Sequence, residues 1–305
     1  MKVAVTGATG TIGQAIVGAL LERGDEVVAL VRDPASAREK LGAEVEAVAW
    51  ADPAGSPAPG EAFMQVDAVV HLLGEPVDQR WSDDAKRRIR ESRVLGTRNL
   101  VAGMRSAGPR LRTLVSGSAA GYYGPRGDEP VPEGTPPGDD FLAEVVVGWE
   151  REAHAAEELG LRVAILRTGV VLSPEGGALS AMLTPFKLGV GGPIAGGRQY
   201  IPWIHIDDVV GAFLFALDDE RASGALNLSA PEPVTNKQFS KALGRVLRRP
   251  AIAPVPKLAV ALLYGEMSTV VVNGARMVPA KLEELGYTFR RPELEAALAA
   301  ATGKS

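Results

Sequence analysis

Apolar residues in the first 170 positions follow two alternating patterns. Lys2 to Thr6 is a short apolar run that ends at a glycine turn, and apolar residues with helical spacing follow from Thr11 to Leu21. Further short runs occur at 26–31, 45–49, 68–73, 113–116 and 163–167, and the clearest helical stretches between them are 82–107 and 141–159. This alternation predicts a doubly wound α/β fold, with a parallel sheet covered on both faces.

The alternation ends after Arg167. A Gly- and Pro-rich stretch then continues to Gly197, where we expect a long loop or a small irregular lobe. Helical patterns at 207–217 and 236–247 flank a short strand pattern at 225–228. We place a boundary near residue 230, so that residues 1–230 form a Rossmann-type domain and residues 231–305 a smaller C-terminal domain on the substrate side.

Composition excludes several classes of protein. The 305 residues are 46% hydrophobic, which is enough to offset the entropy of ordering the chain, so dominant disorder is excluded. The net charge of −4 gives no general attraction to nucleic acid or anionic membranes. No Cys is present and the three His are scattered, which argues against a disulfide framework, a thiolate nucleophile or a metal site. The N-terminus lacks a secretory pattern, so we expect a cytoplasmic protein.

Three glycines lie between the first strand and the first helix. They have the spacing GxxGxxG, which lets the backbone approach a pyrophosphate while the N–H groups of the helix start point at it. We expect a side chain at Gly10 to fill the pyrophosphate space and to oppose a positive φ there. The predicted dinucleotide contacts in this loop are Gly7, Thr9, Gly10, Thr11, Ile12 and Gly13.

The end of the second strand distinguishes the two nicotinamide cofactors. Arg32 comes first, before Asp33, and an Arg at this place pairs with the 2′-phosphate of NADP, so NADP is favoured over NAD. The structural alternative is a solvated Arg32 with Asp33 capping the next turn. At the end of the fourth strand, Leu72, Leu73 and Gly74 border the expected nicotinamide half, although Gly74 also suits a simple turn.

Several segments together resemble one family. They are GATGTIG, HLLGEPVDQRW, SGSAAGYYG, LRTGVVLSPEGGAL, PWIHIDD and NGARMVPAKLEELGY, in this order along nearly the whole chain. The chain resembles the epimerase-like branch of the extended or atypical short-chain dehydrogenase/reductase superfamily, in which a C-terminal domain of unknown function follows the Rossmann domain. The resemblance implies an NADP-binding epimerase or oxidoreductase that acts on a small hydroxylated or nucleotide-sugar-type substrate.

The chain departs from the catalytic pattern of that superfamily. The superfamily uses a Tyr as general acid/base with a Lys four residues later on one helix face, and none of the five Tyr here has such a Lys. Ser118 matches the Ser that binds the substrate oxygen, whereas Arg93 stands where an Asn is usual. Tyr122 and Tyr123 are the candidate proton donors. Asp140 could belong to an acidic pair, but an Asp directly before a helix is more typical of an N-cap.

Two pairs of residues are candidates for substrate binding. Arg80 and Trp81 offer a guanidinium and an aromatic plane that suit a phosphate or a nucleotide base, and solvated packing is the alternative. Trp203 and His205 belong to a segment that the resemblance places near the cleft entrance. The alternative for His205 is a structural histidine tied to a backbone carbonyl, with an aspartate capping the next helix.

Two classes of function therefore compete. The first is the enzyme described above, with a small-molecule substrate and no nucleic-acid or membrane partner. A homodimer is a candidate assembly. The second is a catalytically silent NADP(H)-binding sensor or interaction protein, which the missing Tyr–Lys pair supports.

Overall fold

The computed structural model describes residues 1–304. Thirteen strands are numbered along the described chain: β1 (Lys2–Thr6), β2 (Glu26–Val31), β3 (Glu46–Ala49), β4 (Ala68–His71), β5 (Thr113–Ala119), β6 (Pro130–Val131), β7 (Arg162–Thr168), β8 (Val170–Leu172), β9 (Tyr200–Ile201), β10 (Trp203–His205), β11 (Gly224–Leu228), β12 (Val234–Thr235) and β13 (Arg276–Met277).

Eleven α-helices separate these strands: α1 (Thr11–Glu22), α2 (Pro34–Leu41), α3 (Asp83–Met104), α4 (Phe141–His154), α5 (Ala178–Lys187), α6 (Ile206–Asp218), α7 (Asn236–Leu247), α8 (Lys257–Tyr264), α9 (Ser268–Val272), α10 (Ala280–Glu284) and α11 (Leu294–Ala301).

Seven strands form a central parallel sheet in the order β11-β7-β5-β4-β1-β2-β3. The order reverses between β1 and β4, so the loops after these two strands lead to opposite sides and leave a crevice at the carboxyl edge of the sheet. The predicted doubly wound α/β fold is confirmed.

Successive side chains of the buried strands pack against opposite faces of the sheet, as the two-residue period of a strand requires. In β1, Val3 and Val5 belong to the core under α1 and α6, whereas Ala4 belongs to the core under α3 and α4. Both faces of the sheet are therefore covered by apolar side chains, and the carboxyl edge of the sheet is the place where a ligand can bind.

The segment expected to be an irregular lobe contains regular structure. Glycines flank α5, and Pro185 lies inside it. Leu179 and Phe186 on this helix are nevertheless buried, with Met182 and Leu183 packed beside them. The helical spacing of these apolar residues was masked by the glycines on both sides, because they obscure the ends of the pattern.

A third core joins the segment of α5 to the C-terminal section. Trp203 from β10 packs in one cluster with Phe239 and Leu243 of α7 and Leu298 of α11. Between α7 and α11, the chain passes the core under α1 and α6, where Leu282 of α10 is buried. Among residues 1–304, no helix combines the length and the apolar character needed to cross a membrane.

Candidate nucleotide and substrate crevice

The turn between β1 and α1 contains two close backbone contacts. Gly7 has a φ of +66°, and a Cβ there would lie 2.5 Å from the carbonyl oxygen of Leu72. A Cβ at Gly13 would lie 2.2 Å from the carbonyl oxygen of Gly7. Only glycine fits at either position. No side chain caps α1, so the N–H groups of its first turn remain available to an anion.

Gly10 borders open space. It is exposed, and a Cβ there would meet only the carbonyl oxygen of Gly7, at 3.4 Å. Its φ is −80°, so the expectation of a positive φ at Gly10 is wrong; Gly7 takes the positive φ because its backbone passes close to Leu72. The space fits a pyrophosphate, and the neighbouring partly buried residues are Thr9, Thr11 and Ile12.

Arg32 directly follows β2 and is exposed. Within residues 1–304 its guanidinium has no hydrogen bond or ion pair, whereas the Asp33 carboxylate accepts from the N–H groups of Ala35 and Ser36 and caps α2. Asp33 therefore has the structural role described by the alternative interpretation. The cation of Arg32 is left without an acidic partner in the described chain, at the carboxyl end of β2.

The extension of β4 borders the other half of the crevice with its backbone. Leu72 packs toward the core under α1 and Leu73 toward the core under α3, where its Cδ2 would lie 2.7 Å from a Cβ at Gly96. Gly74 is exposed, and a Cβ there would lie 2.9 Å from the guanidinium carbon of Arg93. A side chain at position 74 would therefore require the Arg93 guanidinium to shift.

A buried chain of hydrogen bonds fixes β4 between β1 and α3. His71 Nδ1 is 2.7 Å from Thr6 Oγ1, and His71 Nε2 is 2.8 Å from Thr97 Oγ1. Thr97 Oγ1 donates to the carbonyl oxygen of Arg93 (2.5 Å), so it accepts from His71, whose proton is then on Nε2. Burial lowers the pKa of His71 to about 3, which keeps the ring neutral.

Ser118 belongs to a buried charged network at the end of β5. Its hydroxyl donates to Glu150 Oε1 on α4 (2.5 Å). Arg167 at the end of β7 pairs with the same carboxylate through Nε and Nη2, both at 2.8 Å. Ser118, Glu150 and Arg167 are 5%, 7% and 4% exposed, so the pair is withdrawn from water. The Ser118 hydroxyl therefore faces this pair and keeps only its acceptor capacity for a ligand.

The two adjacent tyrosines differ. Tyr123 is fully buried; its hydroxyl donates to Asn227 Oδ1 (2.6 Å) and accepts from Arg167 Nη1 (2.9 Å). Burial raises the pKa of Tyr123 to about 12. Tyr122 is only half-buried, and its hydroxyl has no partner within residues 1–304. The structure thus removes Tyr123 from the candidate proton donors, because its hydroxyl is enclosed, and leaves Tyr122.

The first two turns of α4 place apolar side chains beside the turn after β5. A Cβ at Gly121, in the turn after β5, would lie 3.3 Å from Leu142 Cβ and 4.0 Å from Val146 Cγ2. Leu142 and Val146 have i, i+4 spacing, so they occupy one face of the helix. The helix face beside the end of β5 is therefore apolar. Asp140 caps this helix by accepting from the N–H of Ala143 (2.9 Å).

Arg80 and Trp81 lie on the side of the crevice formed by α4. The Trp81 ring contacts Phe141 edge-on, with centroids 5.1 Å apart, and its N–H donates to the carbonyl oxygen of Val77 (3.0 Å). Arg80 is exposed and lies beside Gly265, after α8. The two residues remain accessible candidates for a substrate contact.

Trp203 and His205 lie inside the protein, contrary to the expectation of substrate contacts. Trp203 is 1% exposed and lies in the third core, with Phe239 and Leu298. His205 is 4% exposed and caps α6, because its Nδ1 accepts from the N–H of Asp207 (3.1 Å). Burial lowers the pKa of His205. The ring thus caps a helix, through a backbone N–H and not the expected carbonyl, while its Nε2 is buried without a partner in residues 1–304.

Comparison with known proteins places this architecture in a family. The model of the NAD dependent epimerase/dehydratase family matches residues 3–229. The chain belongs to this family. A Domain of unknown function (DUF1731) matches residues 255–301. The resemblance found in the sequence is confirmed.

Relatives of this epimerase family match along the whole chain. The Epimerase family protein Mb2239 of Mycobacterium bovis is 39% identical over 302 residues, which are 98% of this chain and 97% of the relative. The human epimerase family protein SDR39U1, solved with NADPH, is 34% identical with a TM-score of 0.88 and full coverage of both chains. The UDP-glucuronic acid 4-epimerase of Bacillus cereus, solved with NAD, shares the fold at 18% identity, with a TM-score of 0.79 and coverage of 99% and 96%.

The sequence interpretation missed Glu150, Arg167 and Asn227. Each lies among apolar neighbours: Arg167 ends a buried strand, and Glu150 follows Ala143 and Val146 on the buried face of α4. A charged residue on a buried face signals a paired or functional group, so this interruption of the apolar pattern was the available clue.

Proposed function

We propose that this protein binds NADP(H) and acts as an epimerase-like oxidoreductase on a small hydroxylated or nucleotide-sugar-type substrate. The observation that carries the proposal is the turn from Gly7 to Gly13, where close backbone contacts surround a space beside uncapped N–H groups. Such a site suits a pyrophosphate, and the NADPH complex of human SDR39U1 adds support.

NADP is preferred over NAD in this proposal because of Arg32. Its exposed guanidinium has no carboxylate partner among the described residues, and the nearest acidic residue in sequence, Asp33, is already used as a helix cap. Arg32 would pair with the 2′-phosphate, while the backbone of Leu72, Leu73 and Gly74 would border the nicotinamide half.

When bound, the nicotinamide ring would supply hydride transfer. The half-buried Tyr122 hydroxyl, which has no partner among the described residues, would then be the proton donor or acceptor, and Ser118 would offer an acceptor oxygen. Arg167 would hold the Tyr122 ring, since its guanidinium carbon lies 3.4 Å from the ring centre. Arg80 and Trp81 would contact the distal part of the substrate.

Calorimetric titration with NADPH and NADH tests the cofactor assignment. We expect Arg32→Gln to weaken NADPH binding by about 10- to 150-fold, the effect of losing a charge-assisted contact, and to leave NADH binding nearly unchanged. Arg105→Gln is the matched control, because Arg105 is also exposed, directly follows α3, and has no side-chain hydrogen bond or ion pair within residues 1–304. Equal affinity of the wild type for NADPH and NADH would contradict the assignment.

A second candidate function rests on Leu142 and Val146. Because these apolar residues occupy the face of α4 beside Gly121, a non-catalytic NADP(H)-binding protein is the competing proposal. A screen of sugar nucleotides and small carbonyl compounds, read by NADPH oxidation, separates the two. Turnover of any compound supports the enzyme, and NADPH binding without turnover across the screen supports the sensor.

A further inference from the structure

Arg93 forms no ion pair with a carboxylate of the described chain, and the Glu75 carboxylate acts on it only from a longer distance. It lies on α3, and its Nη1 donates to two carbonyl oxygens, those of Glu75 (2.9 Å) and Ile89 (3.3 Å). Within residues 1–304, its Nε and Nη2 have no acceptor, and no Asp or Glu lies within ion-pair distance. The nearby Glu75 carboxylate pairs instead with Arg88, at 3.5 Å.

Two other arginines withdrawn from solvent, Arg167 and Arg162, have an acceptor for each terminal nitrogen, whereas Arg276 has a buried Nε without a partner in residues 1–304. Arg167 has the bidentate pair with Glu150. Arg162 donates to the carbonyl oxygens of Ala216 and Leu217 at the end of α6, where cations are favoured, and to that of Ala222. Arg93 differs from Arg167 and Arg162 because its Nη2 has no acceptor within residues 1–304. Buried charges in proteins are normally paired, so an uncompensated one indicates a partner that the chain itself does not supply.

The free part of the guanidinium lies at the crevice. A Cβ at Gly74 would be 2.9 Å from Arg93 Nη2, and Gly74 itself is exposed, so the missing side chain leaves the guanidinium close to the surface of the crevice. Burial lowers the pKa of Arg93 to about 10, which still leaves it charged at neutral pH. Its backbone is held by Thr97, which donates to the Arg93 carbonyl.

Trp149 adds a second donor at the same place. The Arg93 guanidinium carbon lies 5.4 Å from the centre of its ring. Trp149 is 6% exposed, and its indole N–H has no hydrogen-bond partner within residues 1–304. Two adjacent side chains thus both have hydrogen-bond donors without acceptors, next to the end of β4.

We propose that Arg93 is an anion-binding residue of the substrate crevice, and that the substrate carries a carboxylate or a phosphate group beside Gly74. The inference rests on the proposed function for the identity of the crevice. The anion is separate from the cofactor phosphates, because the pyrophosphate space lies at Gly10 after β1 and Arg32 lies after β2, whereas Arg93 approaches the end of β4 from α3. The planar guanidinium suits either anion through two parallel hydrogen bonds.

The test uses glycolate and inorganic phosphate as probes on the NADP⁺-saturated protein, which keeps phosphate out of the cofactor site. Glycolamide, the neutral amide of glycolate, is the ligand control. Binding is measured by calorimetry at constant ionic strength for the wild type, Arg93→Gln and Arg87→Gln. Arg87 is the matched control on the same helix, where it pairs with Asp84 and Glu91 on the exposed side.

We expect the wild type and Arg87→Gln to bind at least one of the two anions and to bind glycolamide far more weakly. Arg93→Gln should bind the same anion at least about tenfold more weakly. The comparison of glycolate with phosphate tells which anion the site prefers. Unchanged affinity in folded Arg93→Gln, equal binding of glycolamide and glycolate, or no anion binding by the wild type would overturn the inference.

Two further measurements keep the result decisive. If Arg93→Gln does not fold, Arg93→Lys replaces it: the charge stays and the two-pronged geometry is lost, so anion affinity should fall severalfold, and an unchanged affinity overturns the inference. NADPH titration of the same proteins separates the two proposals. NADPH binding without anion binding rejects the Arg93 site alone, whereas Arg93-dependent anion binding without NADPH binding rejects only the proposed function.

Discussion

The Arg167 guanidinium lies against the face of the Tyr122 ring, 3.4 Å from its centre, and is held there by both oxygens of Glu150. Because Glu150 balances the charge of Arg167, the pair acts on Tyr122 mainly through position. Three elements, β5, α4 and β7, contribute to this arrangement, so it connects the end of the sheet to the candidate proton donor.

Glu150→Gln should destabilise the protein by about 3–5 kcal/mol, because it leaves the buried Arg167 cation without its partner. Urea unfolding measures the change. The double variant Glu150→Gln/Arg167→Met should recover part of the loss, since it removes both charges. Glu295→Gln, at the exposed pair with Arg245, should cost less than about 1 kcal/mol. A similarly small loss for Glu150→Gln would show that the buried pair contributes little.

Tyr122→Phe should mainly lower turnover, whereas Tyr123→Phe should mainly lower the free energy of unfolding. The Tyr122 hydroxyl has no partner in the described chain, so its removal should change stability by less than about 0.5 kcal/mol. If Tyr122 moves the proton, turnover should fall by about 10²- to 10⁴-fold. Tyr123→Phe should cost about 1–3 kcal/mol of stability, because Asn227 and Arg167 lose a buried partner.

These tyrosine variants are compared by urea unfolding and by the rate of NADPH oxidation with a substrate from the screen. A wild-type rate for Tyr122→Phe, together with a strongly reduced rate for a folded Tyr123→Phe, would reverse the assignment.

His71 should make the fold sensitive to acid. The folded protein keeps the ring neutral with a pKa of about 3, whereas the unfolded chain takes up the proton near pH 6.5. The contribution is therefore complete above pH 6.5 and is lost as the pH falls toward 3. From pH 7 to pH 5 the loss should be about 2 kcal/mol.

The control for His71 is the difference between variants. His205 also has a lowered pKa, so the comparison is the change from pH 7 to pH 5 in the wild type minus that in His71→Gln. An equal pH dependence for His71→Gln and the wild type would show that His71 does not carry the effect.

Two glycine variants separate cofactor binding from folding. Gly10→Val should fold, because a Cβ there meets only one oxygen at an ordinary distance, and should lose NADPH binding because the side chain enters the pyrophosphate space. Gly13→Val should fail to fold normally, since its Cβ would overlap the Gly7 carbonyl. Circular dichroism and NADPH titration measure both. A folded Gly10→Val with wild-type affinity would mean that the glycines serve only the turn.

The fold could be predicted where local sequence determines it. The helix from Asn236 to Leu247 was predicted with both ends, and the structure shows why the ends are sharp: Thr235 and Gln238 form a capping box, and Arg248 adopts a left-handed conformation. The glycine turn between β1 and α1 could also be predicted, because its three glycines lie within seven consecutive residues. In α5 the local signal failed, because flanking glycines and Pro185 oppose a helix that tertiary packing stabilises.

The site was predicted only in part for the same physical reason. Ser118, Glu150 and Arg167 come from three elements, and only the packing of α4 against β5 and β7 brings them together. Period and spacing describe one element at a time. The partners that enclose Tyr123 and the burial of Trp203 depend on this packing, so their structural roles could not be separated from functional ones in the sequence.

The last two helices, α10 and α11, pack into two different cores, and this has a consequence for how the molecule melts. Leu282 is buried in the core under α1 and α6, and Leu298 is buried in the third core. Only a short connection separates α10 from α11. Neither core can lose its packing without exposing residues that belong to the same C-terminal stretch. The boundary near residue 230 stays a prediction, and because of this shared stretch we expect heating to give one calorimetric transition whose van't Hoff and measured enthalpies agree.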